Sequence, residues 1–199
     1  NYMPFYDKDI ELVILTHPHA DHIGGLLKVF QDYNIKNFMF SGANYESKIY
    51  GNFIGVLKQE GSNVYLTHAG DSVSFGDSNV QNRVLHILAP VRKTFGISFK
   101  SIHDSMVVTQ LNLGHKKFLL TGDMEAELES QLIASKVIED VDVLKIGHHG
   151  SKTSTSEALL KTACPVVVSC PPMLKALAMV PEALMVSMVK TDDVALLRI

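Results

Sequence analysis

Short apolar runs alternate with longer amphipathic stretches along this chain, and the alternation predicts an α/β protein. The first part reads as strands at about 11–16, 36–41 and 63–67, separated by helices over 22–32 and 45–60. Four strands then follow in succession, around 72–75, 83–88, 106–113 and 117–120, with Gly114-His115 as a hairpin turn between the last two. The remainder reads as helices over 125–136 and 155–162 and strands at 141–146 and 166–169. Such a sequence of elements is typical of layered α/β proteins with mixed sheets.

Three of the predicted strands end in clusters of polar side chains. Residues 12–15 lead into His17-Pro-His-Ala-Asp-His22, residues 118–120 into Thr121-Gly-Asp123, and residues 143–146 into Gly147-His-His-Gly-Ser151. Open α/β sheets place their functional sites at the carboxyl ends of strands. We therefore expect the three clusters to converge on one crevice, with Gly122 and Gly147 allowing tight backbone turns.

The first cluster has the composition of a metal site. His17, His19, Asp21 and His22 place four metal-competent side chains within six residues, and mixed imidazole and carboxylate ligands suit zinc, manganese or iron. Pro18 disfavours a helix through His17, so the cluster is expected to be a loop, with Asp21 capping the next helix. The alternative is a polar loop whose histidines share no role.

Taken together, the three clusters supply roughly seven donors, too many for one tetrahedral ion and suited to two ions that share a carboxylate. Asp123 is the expected bridge, and its alternative role as a helix N-cap is compatible with it. Neighbouring histidines project differently, so one of His148 and His149 is expected to bind metal. The other is then a proton donor or a phosphate contact.

Bulk properties narrow the functional classes. The 199 residues, 46% of them hydrophobic, suit a single domain over 1–199 with a sizeable core, and the net charge of −3 argues against a broad duplex-binding surface. Cys164 and Cys170 flank a predicted strand, too far apart for a disulfide, and are expected to be buried free thiols. Without an apolar stretch of the ~20 residues that a membrane span needs, we expect a soluble protein, cytoplasmic unless the chain is a piece of a membrane protein.

The clusters, in this order, resemble those of the metallo-β-lactamase superfamily. More narrowly, residues 15–26, 117–123 and 143–152 resemble the hydrolase domain of ComEC-type DNA-internalisation (competence) proteins, within a similarity over about residues 10–170. This resemblance implies a four-layer αββα sandwich of two mixed sheets with a binuclear zinc or manganese site. It also implies that N-terminal strands of the family pattern are missing before Asn1.

The resemblance also assigns roles to residues. His17 and His19 would hold the first metal, Asp21 and His22 the second, Asp123 would bridge the two, and His148 would complete the second. His149, Ser151 and Lys152 would then be candidates for substrate contact. On chemical grounds, Asp21 and His149 are the expected catalytic residues, with His149 protonating the leaving group. A further family ligand precedes the strand near Ser105, where His103 is the nearest candidate and Asp104 the alternative. Three other histidines are expected to be structural or exposed: His68, His86 and His115.

These features predict a binuclear metal-dependent hydrolase in which a metal-bridging hydroxide attacks a phosphodiester, with single-stranded DNA as the leading substrate. One alternative is hydrolysis of a small phosphodiester, lactone, thioester or β-lactam by the same metals, because a fold does not choose among these reactions. Another is a catalytically silent DNA-binding module.

Overall fold

The computed structural model describes residues 6–76 and 83–169 and, as backbone alone, residues 186–187. The first half contains strands β1 (Asp9–Ile10), β2 (Val13–Ile14), β3 (Asn34–Ile35), β4 (Asn37–Phe40) and β5 (Asn63–Leu66), and helices α1 (Ala20–Ile23), α2 (Leu26–Asp32) and α3 (Lys48–Gln59). The second half contains β6 (Ser72–Phe75), β7 (Arg83–Ala89), β8 (Val108–Leu113), β9 (Lys116–Leu120), β10 (Val143–Lys145), β11 (Val167–Ser169) and β12 (Val186–Ser187), with α4 (Ala126–Ala134) and α5 (Glu157–Ala163). Two 3₁₀ turns, Ile102–Ser105 and His148–Gly150, carry histidines of the predicted site.

The strands form two main sheets. The larger has the order β11-β10-β9-β8-β7-β6-β12; it is parallel from β11 to β9 and antiparallel from β9 to β12. The smaller has the order β2-β4-β5, and β1 pairs with β3 beside it. The larger sheet is mixed, as predicted. The described strands of the smaller sheet are all parallel, because helices connect them and return the chain to the same edge.

Strand β4 shows how the sheets are layered. Its alternate residues Phe38 and Phe40 join the core under helices α1–α3, where the Phe38 ring lies 5.5 Å from that of Phe53. Met39 points the other way and packs in a cluster with Val73 and other residues of the larger sheet. Opposite faces of one strand are therefore buried by different layers.

The outer face of the larger sheet is covered by the remaining helices. Leu119 of β9 and Leu144 of β10 are fully buried in one cluster with Leu132 of α4 and Leu159 of α5. The resulting order is helices, small sheet, large sheet, helices, which confirms the predicted αββα sandwich.

Several local predictions were wrong in detail. The predicted helix over 22–32 is divided into α1 and α2 at Gly24-Gly25, and Asp21 lies in the first turn of α1 instead of capping it. Helix α1 begins at Ala20, two residues after Pro18, and His19 is the extended cap residue. Cys164 is a free thiol but is exposed, and it ends α5 in a left-handed conformation at φ 40°. Cys170 and the stretch that follows Ser169 lie outside the described residues, apart from the backbone of β12.

Of the helices in the described ranges, none has the length and apolar character that crossing a bilayer requires.

Replacing Met39 with alanine should destabilise the interface between the two sheets. Met39 is 1% exposed, and truncating a buried methionine costs about 2–5 kcal/mol in the free energy of unfolding. Urea denaturation at one fixed metal content measures this change. Val167→Ala, on the exposed edge strand β11, is the matched control and should change the free energy by less than about 0.5 kcal/mol. Equal losses in the two variants would contradict the layer assignment.

Candidate metal centre

The first cluster lies in the loop that leaves strand β2. The backbone N–H of Leu15 donates to the carbonyl of Met39, and that of Val107 donates to the carbonyl of Thr16. The loop is thus held between β4 and the segment before β8. The Thr16 hydroxyl lies 3.2 Å from Nδ1 of His17 and 3.4 Å from Nδ1 of His22, so it orients both rings. Their Nε2 atoms are left to face the centre of the site.

The second cluster is a tight turn after β9 that buries Asp123. Gly122 adopts φ 56°, and a Cβ at this position would lie 2.7 Å from Sδ of Met106, so both conformation and space require glycine. The Lys145 Nζ donates to the carbonyls of Gly122 (2.8 Å) and Ile146 (3.0 Å), which ties this turn to the loop after β10. Asp123 does not cap a helix, because α4 begins at Ala126 with Glu125 as the cap residue.

The third cluster is a loop in which two neighbouring histidines adopt left-handed backbone conformations. His148 and His149 have φ values of 42° and 52°. Gly147 has φ −69°, so it does not supply the predicted turn; glycine is required there because a Cβ would lie 2.5 Å from the Met124 carbonyl oxygen. The buried Glu129 carboxylate accepts from the backbone N–H groups of Thr155 and Ser156 and fixes the far end of the loop.

In the described residues, three groups of donors each have their ligand atoms within 4.8 Å of one another: His17, His19 and His103; Asp21, His22, Asp123 and His149; and His103, Glu125 and His148. In the first group, Nδ1 of His19 lies 2.9 Å from Nε2 of His17 and 3.3 Å from Nε2 of His103. In the second group, Oδ2 of Asp123 lies 3.1 Å from Nε2 of His22 and 3.3 Å from Nε2 of His149. The third group shares His103 with the first.

The donor chemistry fits metal ions. Oδ1 of Asp123 is buried and has no hydrogen-bond partner among the described residues, although buried carboxylate oxygens are normally paired. In the first group, imidazole nitrogens face one another at hydrogen-bond distance, and neutral imidazoles offer lone pairs there. A cation among these atoms would satisfy the orphaned oxygen and the facing nitrogens together.

Burial and neighbouring groups keep His17 and His19 neutral and Asp123 ionised. Burial, followed by the neighbouring His22 and His19, lowers the pKa of His17 to about 3, and burial followed by His103 lowers the pKa of His19. Burial alone would raise the pKa of Asp123, but the hydrogen bond from His22 and the nearby imidazoles outweigh it and hold that pKa well below its usual range. Neutral imidazoles and ionised carboxylates are the protonation states that bind metals.

The structure brings the three predicted clusters to one place, with one exchange of partners. His17, His19, Asp21, His22, His103 and Asp123 all belong to the first two groups. His149 lies in the second group, where the resemblance places His148, and His148 lies instead beside Glu125. Asp104 is exposed and belongs to none of the groups found among the described residues.

Sequence reasoning missed Glu125, which contacts two histidines at once. Its Oε2 lies 3.2 Å from Nδ1 of His103, and its Oε1 lies 3.1 Å from Nδ1 of His148. The Thr153 hydroxyl also donates to Oε1, at 3.0 Å. Although burial opposes it, these contacts with His103, Thr153 and His148 lower the pKa of Glu125. The available signal was the position of Glu125, two residues after Asp123. The sequence pattern places Glu125 in the first turn of a predicted helix.

The predicted substrate contacts lie at the edge of the site. The Ser151 hydroxyl is 2.9 Å from that of Thr153, which places it one hydrogen bond away from Glu125. Lys152 is exposed on the same loop. The donor groups of the described residues contain none of the three histidines expected to be structural or exposed, His68, His86 and His115.

The metal-free protein should lose stability as the pH falls from about 6.5 toward 3. The pKa of His17 is lowered to about 3 in the folded state and is about 6.5 in the unfolded chain, so the unfolded state takes up the proton first. Urea unfolding at several pH values measures the slope, which His17→Gln should reduce by up to about 1.4 kcal/mol per pH unit. His115→Gln, in the exposed hairpin turn, should leave the slope unchanged. A His17→Gln slope equal to that of the wild type would contradict the assignment.

Comparisons with known proteins identify relatives by sequence and by fold. Two curated relatives are ComE operon protein 3 of Bacillus subtilis, 27% identical over 158 residues (79% of this chain and 19% of that protein), and Recombination protein 2 of Haemophilus influenzae, 31% identical over 169 residues (83% and 18%). The chain therefore spans less than a fifth of either relative. Among solved structures, the crystal structure of CmlA, a diiron beta-hydroxylase from Streptomyces venezuelae, matches with a TM-score of 0.50 at 14% identity, covering 81% of this chain and 35% of that one, which supports the fold alone.

The family assignment rests on a match that covers most of the chain. The family described as the metallo-beta-lactamase superfamily matches residues 6–163, well over half of the chain. The protein therefore belongs to the metallo-beta-lactamase superfamily.

Proposed function

We propose that this protein is a metal-dependent phosphodiesterase that acts on DNA. The observation that carries the proposal is the contact between two donor groups: Nε2 of His17 in the first lies 3.9 Å from Oδ2 of Asp123 in the second. Two-metal enzymes that displace a group at phosphorus use such an arrangement, in which two adjoining donor sets share one carboxylate.

The residues suited to holding the two ions follow from the groups. His17, His19 and His103 would hold one ion, and Asp21, His22 and His149 the other, with Asp123 between them. When bound, divalent ions such as zinc or manganese supply Lewis acidity that lowers the pKa of water and neutralises charge on a phosphate. His149 takes the second-ion position in this proposal because its Nε2 is 3.2 Å from Asp21 and 3.3 Å from Asp123.

His148 is then the group that protonates the leaving oxygen. Glu125 accepts from Nδ1 of His148, which fixes the tautomer and directs Nε2 away from the carboxylate. An imidazole held by a carboxylate in this way is oriented for proton transfer. The sequence predicts this role for His149, so the proposal exchanges the two neighbours.

DNA is the proposed substrate because of the relatives. One relative is named for recombination, and the motif resemblance is to DNA-internalisation proteins. The chain's acidic balance of −3 favours a substrate held by the metals and a few local cations over one held by a broad basic surface.

Replacing Asp123 with asparagine should abolish most of the hydrolysis without unfolding the protein. Loss of residues that merely support a metal ligand costs 10–100-fold, so loss of the shared carboxylate should cost at least about 100-fold. The rate of cleavage of bis(4-nitrophenyl) phosphate and of a DNA oligonucleotide, with manganese or zinc added, measures the effect. Circular dichroism checks the fold, and Asp140→Asn, an exposed carboxylate after α4, is the control that should retain activity.

The same assay separates the competing functions. Cleavage of a β-lactam alone by the wild type would overturn the phosphodiesterase proposal. DNA binding without hydrolysis of any substrate, with both metals present, would indicate a silent binding module.

Replacing Glu125 with glutamine should weaken metal binding by about 10–100-fold, because it removes the charge that orients His103 and His148. Competition with a chelating dye measures the affinity. Glu127→Gln, an exposed carboxylate in the first turn of α4, is the matched control and should bind metal as the wild type does. Unchanged affinity in Glu125→Gln would contradict the supporting role.

A further inference from the structure

The segment between β7 and the turn that carries His103 concentrates positive charge and exposed apolar groups. We call residues 91–100 the rim loop. Arg92, Lys93 and Lys100 are exposed, and no carboxylate occurs between residues 91 and 103, although the chain as a whole is acidic. Within the described ranges, neither Lys93 nor Lys100 forms a salt bridge, and the Arg92 guanidinium lies over the Phe99 ring at 5.8 Å. The rim loop is therefore a local cationic surface on an acidic protein.

Hydrogen bonds hold the rim loop in one conformation. The buried Thr94 hydroxyl donates to the Ser41 carbonyl at 2.5 Å, and the N–H of Gly96 donates to the Gly42 carbonyl at 3.1 Å. Asn44 reaches the loop twice, with its backbone N–H on the carbonyl of Ile97 and its side-chain amide on that of Gly96. The exposed groups of the loop are thus presented by a fixed backbone.

Phe95 is an exposed aromatic ring with a firm support. It is 56% exposed, yet a Cβ at Gly42 would approach its Cδ2 to 3.1 Å, so part of the ring lies against the backbone of Gly42. Ile97 and Val91, at 41% and 54% exposure, extend the apolar surface beside it. A supported ring that is open to solvent costs little entropy when a flat partner stacks on it.

The rim loop borders the metal centre. Lys100 precedes His103 by three residues, so their Cα atoms are within about 11 Å. On the other side, Asn44, which holds the loop, is followed by Tyr45, whose ring lies 5.6 Å from that of His19. A ligand bound along the loop would therefore have one end at the proposed metals.

We propose that the rim loop binds single-stranded nucleic acid and leads it into the metal centre, an inference that rests on the proposed function. Phosphates contact Lys93 and Lys100, and a base stacks on Phe95. Cations interleaved with exposed aromatic rings are the usual composition of single-strand binding surfaces. A paired duplex offers no open base face at its side, so stacking on Phe95 selects the unpaired strand.

The test measures binding and hydrolysis separately, on the manganese-loaded full chain. Binding of a fluorescein-labelled thymidine phosphorothioate oligonucleotide of about 15 nucleotides is followed by anisotropy at several salt concentrations. Phe95→Ala should weaken this binding by about 10-fold and leave binding of a duplex of the same length unchanged. Lys93→Ser combined with Lys100→Ser should weaken it further at low salt and reduce the salt slope by about 1.4, since each single-strand phosphate contact contributes about 0.7.

The matched control removes two lysines elsewhere. Lys58→Ser with Lys161→Ser, at the end of α3 and in α5, should bind the oligonucleotide like the wild type. All variants should hydrolyse bis(4-nitrophenyl) phosphate at the wild-type rate, because that small diester does not reach the loop.

The outcomes distinguish the two proposals. If both rim-loop variants bind the oligonucleotide like the wild type and still hydrolyse the small diester, the proposed surface is overturned and the proposed function stands. If these variants lose oligonucleotide binding but the wild type, which binds it, hydrolyses no substrate, the rim-loop surface is supported and the proposed function is overturned. If Phe95→Ala dissociates a dimer without any effect on oligonucleotide binding, the nucleic-acid surface is overturned and the loop is instead a contact between copies of the chain.

Discussion

The site depends on one buried negative charge, the Asp123 carboxylate, which is 1% exposed at the end of β9. A carboxylate at that depth is stable only if cations or donors surround it. Here Nε2 atoms of His22, His149 and His17 lie at 3.1, 3.3 and 3.9 Å from one oxygen, while the other oxygen has no partner in the described part of the chain. The imidazoles come from two loops distant in sequence, so the charge on Asp123 makes their convergence favourable.

The hydrophobic layers supply the rigidity that this arrangement needs. Leu119 and Leu144, on the strands that lead to Asp123 and His148, are fully buried under α4 and α5. Phe38 and Phe40 anchor the neighbouring strand of the smaller sheet, to which the first cluster is hydrogen-bonded. The polar loops can therefore hold several buried titratable groups, because the strands beneath them are fixed by packing and by the pairing of the sheets.

The layered α/β class and the convergence of the clusters were predictable because both follow from local patterns, whereas the αββα order was predicted from the family resemblance. Strand periodicity identified β2 and β4 to β11, and a polar cluster at a strand end is placed by the sheet itself. The pairing within the site was not predictable in the same way. The exchange of His148 and His149 depends on two left-handed residues, and a sequence motif does not specify these φ values. Glu125 contacts His103 and His148 from a position one residue before α4 begins. Periodicity locates such a helix boundary only to within a few residues.

The ammonium of Lys145 has a mechanical consequence for the two loops that it joins. It donates to a carbonyl in the turn of Asp123 and to a carbonyl just before the paired histidines, and the Thr121 hydroxyl donates back to the carbonyl of Lys145. A shift of either loop would stretch a charge-assisted hydrogen bond to the other, so the lower free-energy motion is one in which both travel together. The carboxylate and the imidazoles facing it thereby keep their spacing while the surrounding protein fluctuates.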